Sequence, residues 1–446
     1  MKFPVAAISF QILVLILFAT LARYDPEQTG PETGSVAKSE DQFRLYPAFQ
    51  DVNVMIFLGI GYLIIFLKRY GYSSVGYNFF IGAISVQWYI IVAGCLHHRG
   101  ETGFDIDLNL KSLITAEFAA AVVLISFGVY MGKVNRVQLL VIMVIEVVMF
   151  AVNEFILLEE LKVADAGGTM VVHIFACYFG MAVTFVIKRP EDTNNNPKEA
   201  PIYHSDLFAM IGSLFLWLYW PSFNSILVVP GRDQQRAVLN TFLSLTACTV
   251  AVFATSAFVN KEKIQMAHAQ NAVLAGGVAV GTTANMLIQP WGAILLGTLA
   301  GIISVCGFYY VQPYLNEKLK LHDTCGVHNL HGMPGLLGAI AGVIAAKLAD
   351  IDDYKLSLVQ TFAAMKEGRS SSKQAGYQTL AILITLAISI VSGLITGFIV
   401  RLKIFDPPTP EQLFDDEDFW DLPDMSIESK NTEKADPNEI ALQPIA

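Results

Sequence analysis

Two nine-residue stretches decide how this chain folds: Asp165-Ala-Gly-Gly168-Thr-Met-Val-Val-His173 and Asp323-Thr-Cys-Gly326-Val-His-Asn-Leu-His331. Each reads Asp, then Gly three residues later and His eight later, and each has a further Gly at fifteen, Gly180 and Gly338. Each stretch also leads into a long apolar run. An aspartate at a helix start accepts orphan N–H groups and complements the helix dipole. A histidine eight residues on then sits roughly 12 Å deeper along a helix.

The solvent around these runs is lipid. Of 446 residues, 54% are hydrophobic and only 15% charged, and mean hydropathy is +0.50. Soluble chains carry about a quarter charged residues. A helix of about 20 apolar residues crosses a bilayer core of roughly 30 Å, and twelve segments meet that length. They are expected near 4–22, 52–68, 74–96, 110–131, 137–157, 169–187, 206–222, 238–259, 267–288, 291–311, 330–347 and 377–400. Runs this continuous are not barrel strands, so the fold class is all-α and polytopic.

The topology gives the repeat its meaning. His173 falls on the sixth segment and His331 on the eleventh. Five segments separate each from its counterpart, so the two copies run in opposite directions. That is a five-plus-five inverted repeat, which places a substrate site near the midplane between its halves. Paired ionisable groups at that depth are costly and line cavities. The first helix, 4–22, is extra to the repeat. Lys2 ahead of its apolar core and the weak Thr20-Leu-Ala22 site would also suit a signal peptide. A retained helix is preferred, because it gives an even number of spans and puts both termini on one face. That face holds Lys68-Arg69, Lys133, Arg136, Lys188-Arg189 and Lys261, the pattern of a cytoplasmic side.

Residues 1–401 therefore form the membrane domain, and 402–446 a separate tail. Asp415-Asp416-Glu417-Asp418-Phe419-Trp420 gives it an acidic character that cannot bury a core by itself. The tail is expected to be largely disordered, or docked on the channel or a cytoplasmic partner. Net charge of −10 and pI near 5.3 argue against nucleic-acid binding. No P-loop is present. The five cysteines lack paired zinc-site spacing and read as small hydrophobes. No metal or cofactor is expected.

Several longer runs resemble the Rhesus glycoprotein branch of the ammonium transporter family. They are Lys162-Val-Ala-Asp-Ala-Gly-Gly168, Ser205-Asp-Leu-Phe-Ala-Met-Ile-Gly212, Tyr219-Trp-Pro-Ser-Phe-Asn224, Asn271-Ala-Val-Leu-Ala-Gly-Gly277 and Asp323-Thr-Cys-Gly-Val-His-Asn-Leu-His-Gly-Met-Pro-Gly335. Twelve helices, rather than the eleven of the microbial branch, also suit it. The resemblance implies that His173 and His331 are twin pore histidines, with Phe118 and Phe223 paired above them. It implies that Asp165 and Glu154 lie toward the outer vestibule, with Asp323 the counterpart of Asp165. Asn329, beside the second histidine, would help line the inner passage. It further implies a homotrimer in the cell membrane, with one pore per subunit for ammonia or ammonium.

The expected activity is passive conduction of neutral ammonia, with methylamine and carbon dioxide as further candidates. A bare cation at the bilayer centre is costly, whereas a neutral amine loses only part of its hydrogen bonding. The rival readings are an electrogenic proton-coupled transporter, a non-conducting scaffold, and a haem protein using the two histidines as axial ligands.

Overall fold

The structure, a computed structural model, describes residues 2–25, 43–97, 105–188, 196–354 and 357–423. His98, Arg189 and the tail beyond 423 lie outside the described residues. Among the described residues, eleven helices are long and apolar enough to cross a membrane: α1 (Lys2–Leu21), α2 (Tyr46–Phe66), α3 (Gly71–His97), α4 (Leu110–Tyr130), α5 (Arg136–Glu160), α6 (Thr169–Ile187), α7 (Tyr203–Ser225), α8 (Arg232–Val259), α10 (Gln289–Leu319), α11 (His328–Leu348) and α12 (Ser371–Val400). The ninth segment, α9 (266–280), is a shorter run of three helical pieces.

The helix starts follow local chemistry. Asn109 caps α4 by accepting from the Ser112 N–H, and Asn135 caps α5 by accepting from the Val137 and Gln138 N–H groups. Lys2 and Asp406 pair at 2.7 Å, so α1 begins where α12 has ended. This is called the proximal face, and the opposite one the distal face. At the distal face the chain leaving α1 forms β1 (Ala22–Tyr24), which pairs in parallel with β2 (Ile106–Leu108). These two short strands are the one sheet among the described residues.

Burial is uneven in a way that fits lipid. Helices α4 and α6 are buried along almost their whole length, whereas α1 exposes Val5, Ile8, Ile12 and Leu15. Lipid is as apolar as leucine, so close backbone approach rather than water exclusion holds such helices together. A Cβ on Gly297 of α10 would lie 2.0 Å from the Ser244 carbonyl oxygen of α8. Only glycine permits that contact.

Helix α9 is short for a similar reason. A Cβ on Gly277 would lie 2.5 Å from the Trp220 ring, and the chain turns at Gly281 to meet the start of α6. There the Gly167 N–H donates to the Gly281 carbonyl at 2.9 Å, and the Thr282 N–H donates to Thr169 Oγ1 at 2.7 Å.

The acidic segment after α12 is packed on the proximal face as far as it is described. Leu413 and Phe414 are fully buried. Asp416 accepts from the Tyr72 and Ser73 N–H groups, both at 2.8 Å, and so caps α3 from 344 and 343 residues away in sequence. Asp415 pairs with Arg69 at 3.0 Å and Lys198 at 2.8 Å. Burial pushes the Asp415 carboxyl up, but Lys198, the Glu417 N–H and Arg69 outweigh it and hold it below the usual carboxylate range.

Candidate functional site

The two repeat copies are built alike. Gly168 has φ +65° and Gly326 φ +70°, a left-handed turn that glycine adopts without penalty. That turn lets each preceding aspartate fold over a helix start. Asp165 Oδ2 accepts from the Met170 and Val171 N–H groups at 2.9 and 3.0 Å, and Asp323 Oδ2 from the His328 N–H at 2.8 Å. Both histidines sit on wide, π-type turns, Thr169–Ile174 and His328–Gly332, that open α6 and α11. Such turns are rare and concentrate at functional sites.

Because α6 and α11 enter from opposite faces, their histidines meet. His173 Nδ1 and His331 Nδ1 are 3.1 Å apart, and both side chains are buried. One ring must carry the shared proton while the other accepts it. His173 Nε2 is also buried and has no partner. His173 lines a small cavity of about 50 Å³, whose wall also includes His331, Trp220, Phe223, Ile60, Leu124 and Leu330. The wall is mostly apolar, and its polar members are the two imidazoles, the indole, Asn271 and Cys325. Trp220 stacks on His173 with ring centres 5.7 Å apart, and its indole nitrogen is buried without a partner.

Phe118 and Phe223 come together on the distal side of the imidazoles. Their ring centres are 4.4 Å apart, and Phe223 is 5.9 Å from His173. The order Phe118, Phe223, His173, His331 is thus a continuous file of rings. Phe223 is carried by α7 just after Pro221, which leaves one turn of that helix without its N–H. Beside it, Ser222 Oγ donates to Asp51 at 2.6 Å.

The remaining site candidates are placed apart from this file. Glu154 borders a distal cavity of about 580 Å³ and accepts a short hydrogen bond from the Tyr89 hydroxyl. Asp165 does not border that cavity. Its oxygens are taken by the α6 N–H groups and by Thr282 Oγ1 at 2.5 Å. Burial pushes its carboxyl up to about 6, against the pull of Thr282 and the backbone donors. Asp323 borders a proximal cavity of about 760 Å³, where Oδ1 is buried without a partner. Asn329 turns away from the histidine cavity. Its Nδ2 donates to Gln312 at 2.9 Å, and Gln312 in turn donates to the Asp323 carbonyl.

Sequence reasoning passed over Trp220, Tyr89 and Asp51. Trp220 stood inside the quoted Tyr-Trp-Pro-Ser-Phe-Asn run, three residues before Phe223, so helical spacing could have found it. Tyr89 and Asp51 carry no such signal.

Comparison with known proteins gives the family of the chain. The Ammonium Transporter Family profile matches residues 13–411. The chain is 46% identical over 428 residues to ammonium transporter Rh type B of Takifugu rubripes, covering 95% of this chain and 93% of that one. It is 42% identical over 456 residues to ammonium transporter Rh type C of Canis lupus familiaris, covering 99% and 97%. Among solved structures it is similar to Nitrosomonas europaea Rh50, a protein of the Rhesus channel family, with a TM-score of 0.72 and 30% identity. That likeness covers 89% of this chain and 96% of the other. A multi-pass membrane transporter and not an enzyme, this chain belongs to the ammonium transporter family, in its Rhesus branch.

Proposed function

We propose that this protein is a passive channel for neutral ammonia, with His173 and His331 as the groups that carry it through the membrane. The observation that supports this most is the pair of buried imidazoles lining an apolar cavity, with Nε2 of His173 left without a partner. An orphaned polar atom in such a place costs free energy unless something visits it. Ammonia suits it, being small, uncharged and able both to donate and accept one hydrogen bond at a time. The shared Nδ1 proton makes the two rings unequal, so one outer nitrogen donates and the other accepts.

Ammonium is gathered at the distal cavity, where Glu154 favours a cation, and loses its proton before the Phe118/Phe223 pair. Those rings leave a cation no ligands to replace its water, which sets the selectivity against sodium and potassium. Asp165 serves this route indirectly, by fixing the start of the helix that bears His173. The proximal face is then the cytoplasmic one, with both termini on it, and the cell membrane is the setting. Three copies with one pore each, and methylamine as a second substrate, follow from the Rhesus branch. The test is stopped-flow pH recording on proteoliposomes under an ammonia gradient. Wild-type protein is expected to speed the pH change well beyond empty vesicles without carrying current, and net current matched to flux would replace this reading with proton-coupled transport.

A further inference from the structure

Three side chains from separate segments form a hydrogen-bonded chain that ends on the wall of the proximal cavity. Lys133, in the turn between α4 and α5, is buried. Its ammonium donates to the Val129 carbonyl at 2.8 Å and the His322 carbonyl at 2.6 Å, and it reaches His322 Nδ1 at 3.3 Å. A lysine ammonium cannot accept, so Nδ1 presents its lone pair and the ring proton sits on Nε2. That Nε2–H donates to Glu199 Oε1 at 2.8 Å.

His322 and Glu199 both line the cavity, and the more exposed of the two is Glu199. Its side chain is 22% exposed, and Asp323, Gln312, Asn316 and Glu317 share the same wall. The second carboxylate oxygen has no hydrogen bond to any described residue. One oxygen is therefore fixed and the other is left for the cavity. A salt bridge whose only task was to hold the 196–200 loop would gain more from direct Lys–Glu contact than from an interposed ring. The tail supports the same place from behind. Lys198, next to Glu199, pairs with Asp415, and the Phe414 ring lies 6.2 Å from the His322 ring.

We propose that Glu199 exchanges protons with ammonia at the proximal mouth, and that His322 and Lys133 are its positioning residues. This inference rests on the conduction of neutral ammonia argued above. Ammonia that has passed His331 must regain a proton before it enters bulk water as ammonium. Hydronium from the bulk protonates the free oxygen of Glu199. Ammonia then takes that proton: the O–H bond breaks, an N–H bond forms from the nitrogen lone pair, and ammonium and carboxylate remain. Ammonium leaves for water, and hydronium or a buffer acid protonates the carboxylate again. The reverse order feeds outward flux. Asp323 and Glu317 on the same wall hold the new cation near the mouth while Glu199 recharges. The charge of Lys133, relayed through a neutral ring, keeps the carboxylate in place throughout.

The experiment uses full-length protein in proteoliposomes, with an ammonia gradient and pH-sensitive dye. Flux is measured in weakly buffered solutions on both faces, and again with a concentrated mobile imidazole buffer. Glu199→Gln is expected to slow flux several-fold in weak buffer and to regain it in strong buffer, because a diffusing acid replaces the lost carboxyl. His322→Leu is expected to behave the same way. His322→Gln, whose amide can still donate to Glu199, stays near wild type. Equal flux for Glu199→Gln and wild type in weak buffer would overturn the proposal. So would a loss that strong buffer does not repair, since that marks a structural tie. Wild-type protein with no ammonia flux in either buffer would instead sink the conduction reading beneath it.

Discussion

The Nδ1 atoms of His173 and His331 lie 3.1 Å apart on rings inclined by only 20°, although the residues are separated by 158 positions in sequence. Only one proton fits between them, so the two imidazoles act as a unit. Residues that act as a unit lose function together rather than in proportion. His173→Ala and His331→Ala are each expected to cut ammonia flux to near the level of empty vesicles. The double variant is expected to lose no more than the worse single one. Additive losses in stopped-flow rates would mean that each ring serves a separate step.

The phenylalanine pair should decide size before the histidines decide chemistry. With ring centres 4.4 Å apart, Phe118 and Phe223 close the file on its distal side. Phe118→Ala and Phe223→Ala remove one ring each, and the expected outcome is a higher ratio of methylammonium to ammonia flux. Unchanged ratios in both variants would place the selective constriction elsewhere. Asp51→Ala should shift the ratio in the same direction but less, because Ser222 would lose its tether one residue from Phe223.

How much of this could be read beforehand depends on the range over which each contact acts. The two copies of Asp, Gly and His carry their geometry locally: capping, a left-handed glycine and helical rise fix where the imidazole goes. The inverted pairing then needed only the count of spans. Asn329 is different. Its place beside His331 predicts the wall of the inner passage, but no spacing shows the hydrogen bond it makes to Gln312, on a helix seventeen residues earlier. The tail is ambiguous for another reason. Asp415 and Asp416 leave solvation and docking both open in the sequence, because their partners, Arg69, Lys198 and the first turn of α3, lie hundreds of residues away. The chain from Lys133 through His322 to Glu199 crosses three loops, and no spacing in the sequence joins them.

Asp165 makes a prediction about pH. Its carboxyl titrates near 3.8 when free and near 6 in the folded protein, so the native state binds the extra proton between those values. Stability falls as pH rises through that window, because the charged form is the one burial penalises. Below it, both states are protonated and no difference remains. Asp165→Asn keeps a neutral acceptor for the Met170 and Val171 N–H groups. Thermal midpoints in detergent are therefore expected to favour Asp165→Asn more at pH 7 than at pH 4. Asp165→Ala should destabilise at both, by about 1 kcal/mol or more for the lost cap. A difference between Asp165→Asn and wild type that does not change with pH would show that burial does not control this carboxyl.

The tail prediction turns on a glycine. Gly132 has φ +79°, and a Cβ there would lie 2.2 Å from the Phe414 ring, while the Phe414 backbone N–H donates to the Gly132 carbonyl at 3.0 Å. Gly132→Ala thus strains the turn and pushes Phe414 out at the same time. Asp416→Ala attacks the same docking from its other end, by uncapping α3 at a cost of about 1 kcal/mol. If the docked segment is held by these two contacts, either change should speed tryptic cleavage after Lys403 in detergent-solubilised protein. Together they should release the segment further than either alone, since Phe414 bears on the turn between α4 and α5 and Asp416 on the start of α3. Cleavage at the wild-type rate in the double variant would mean that Arg69 and Lys198 suffice to hold Asp415, and the tail with it.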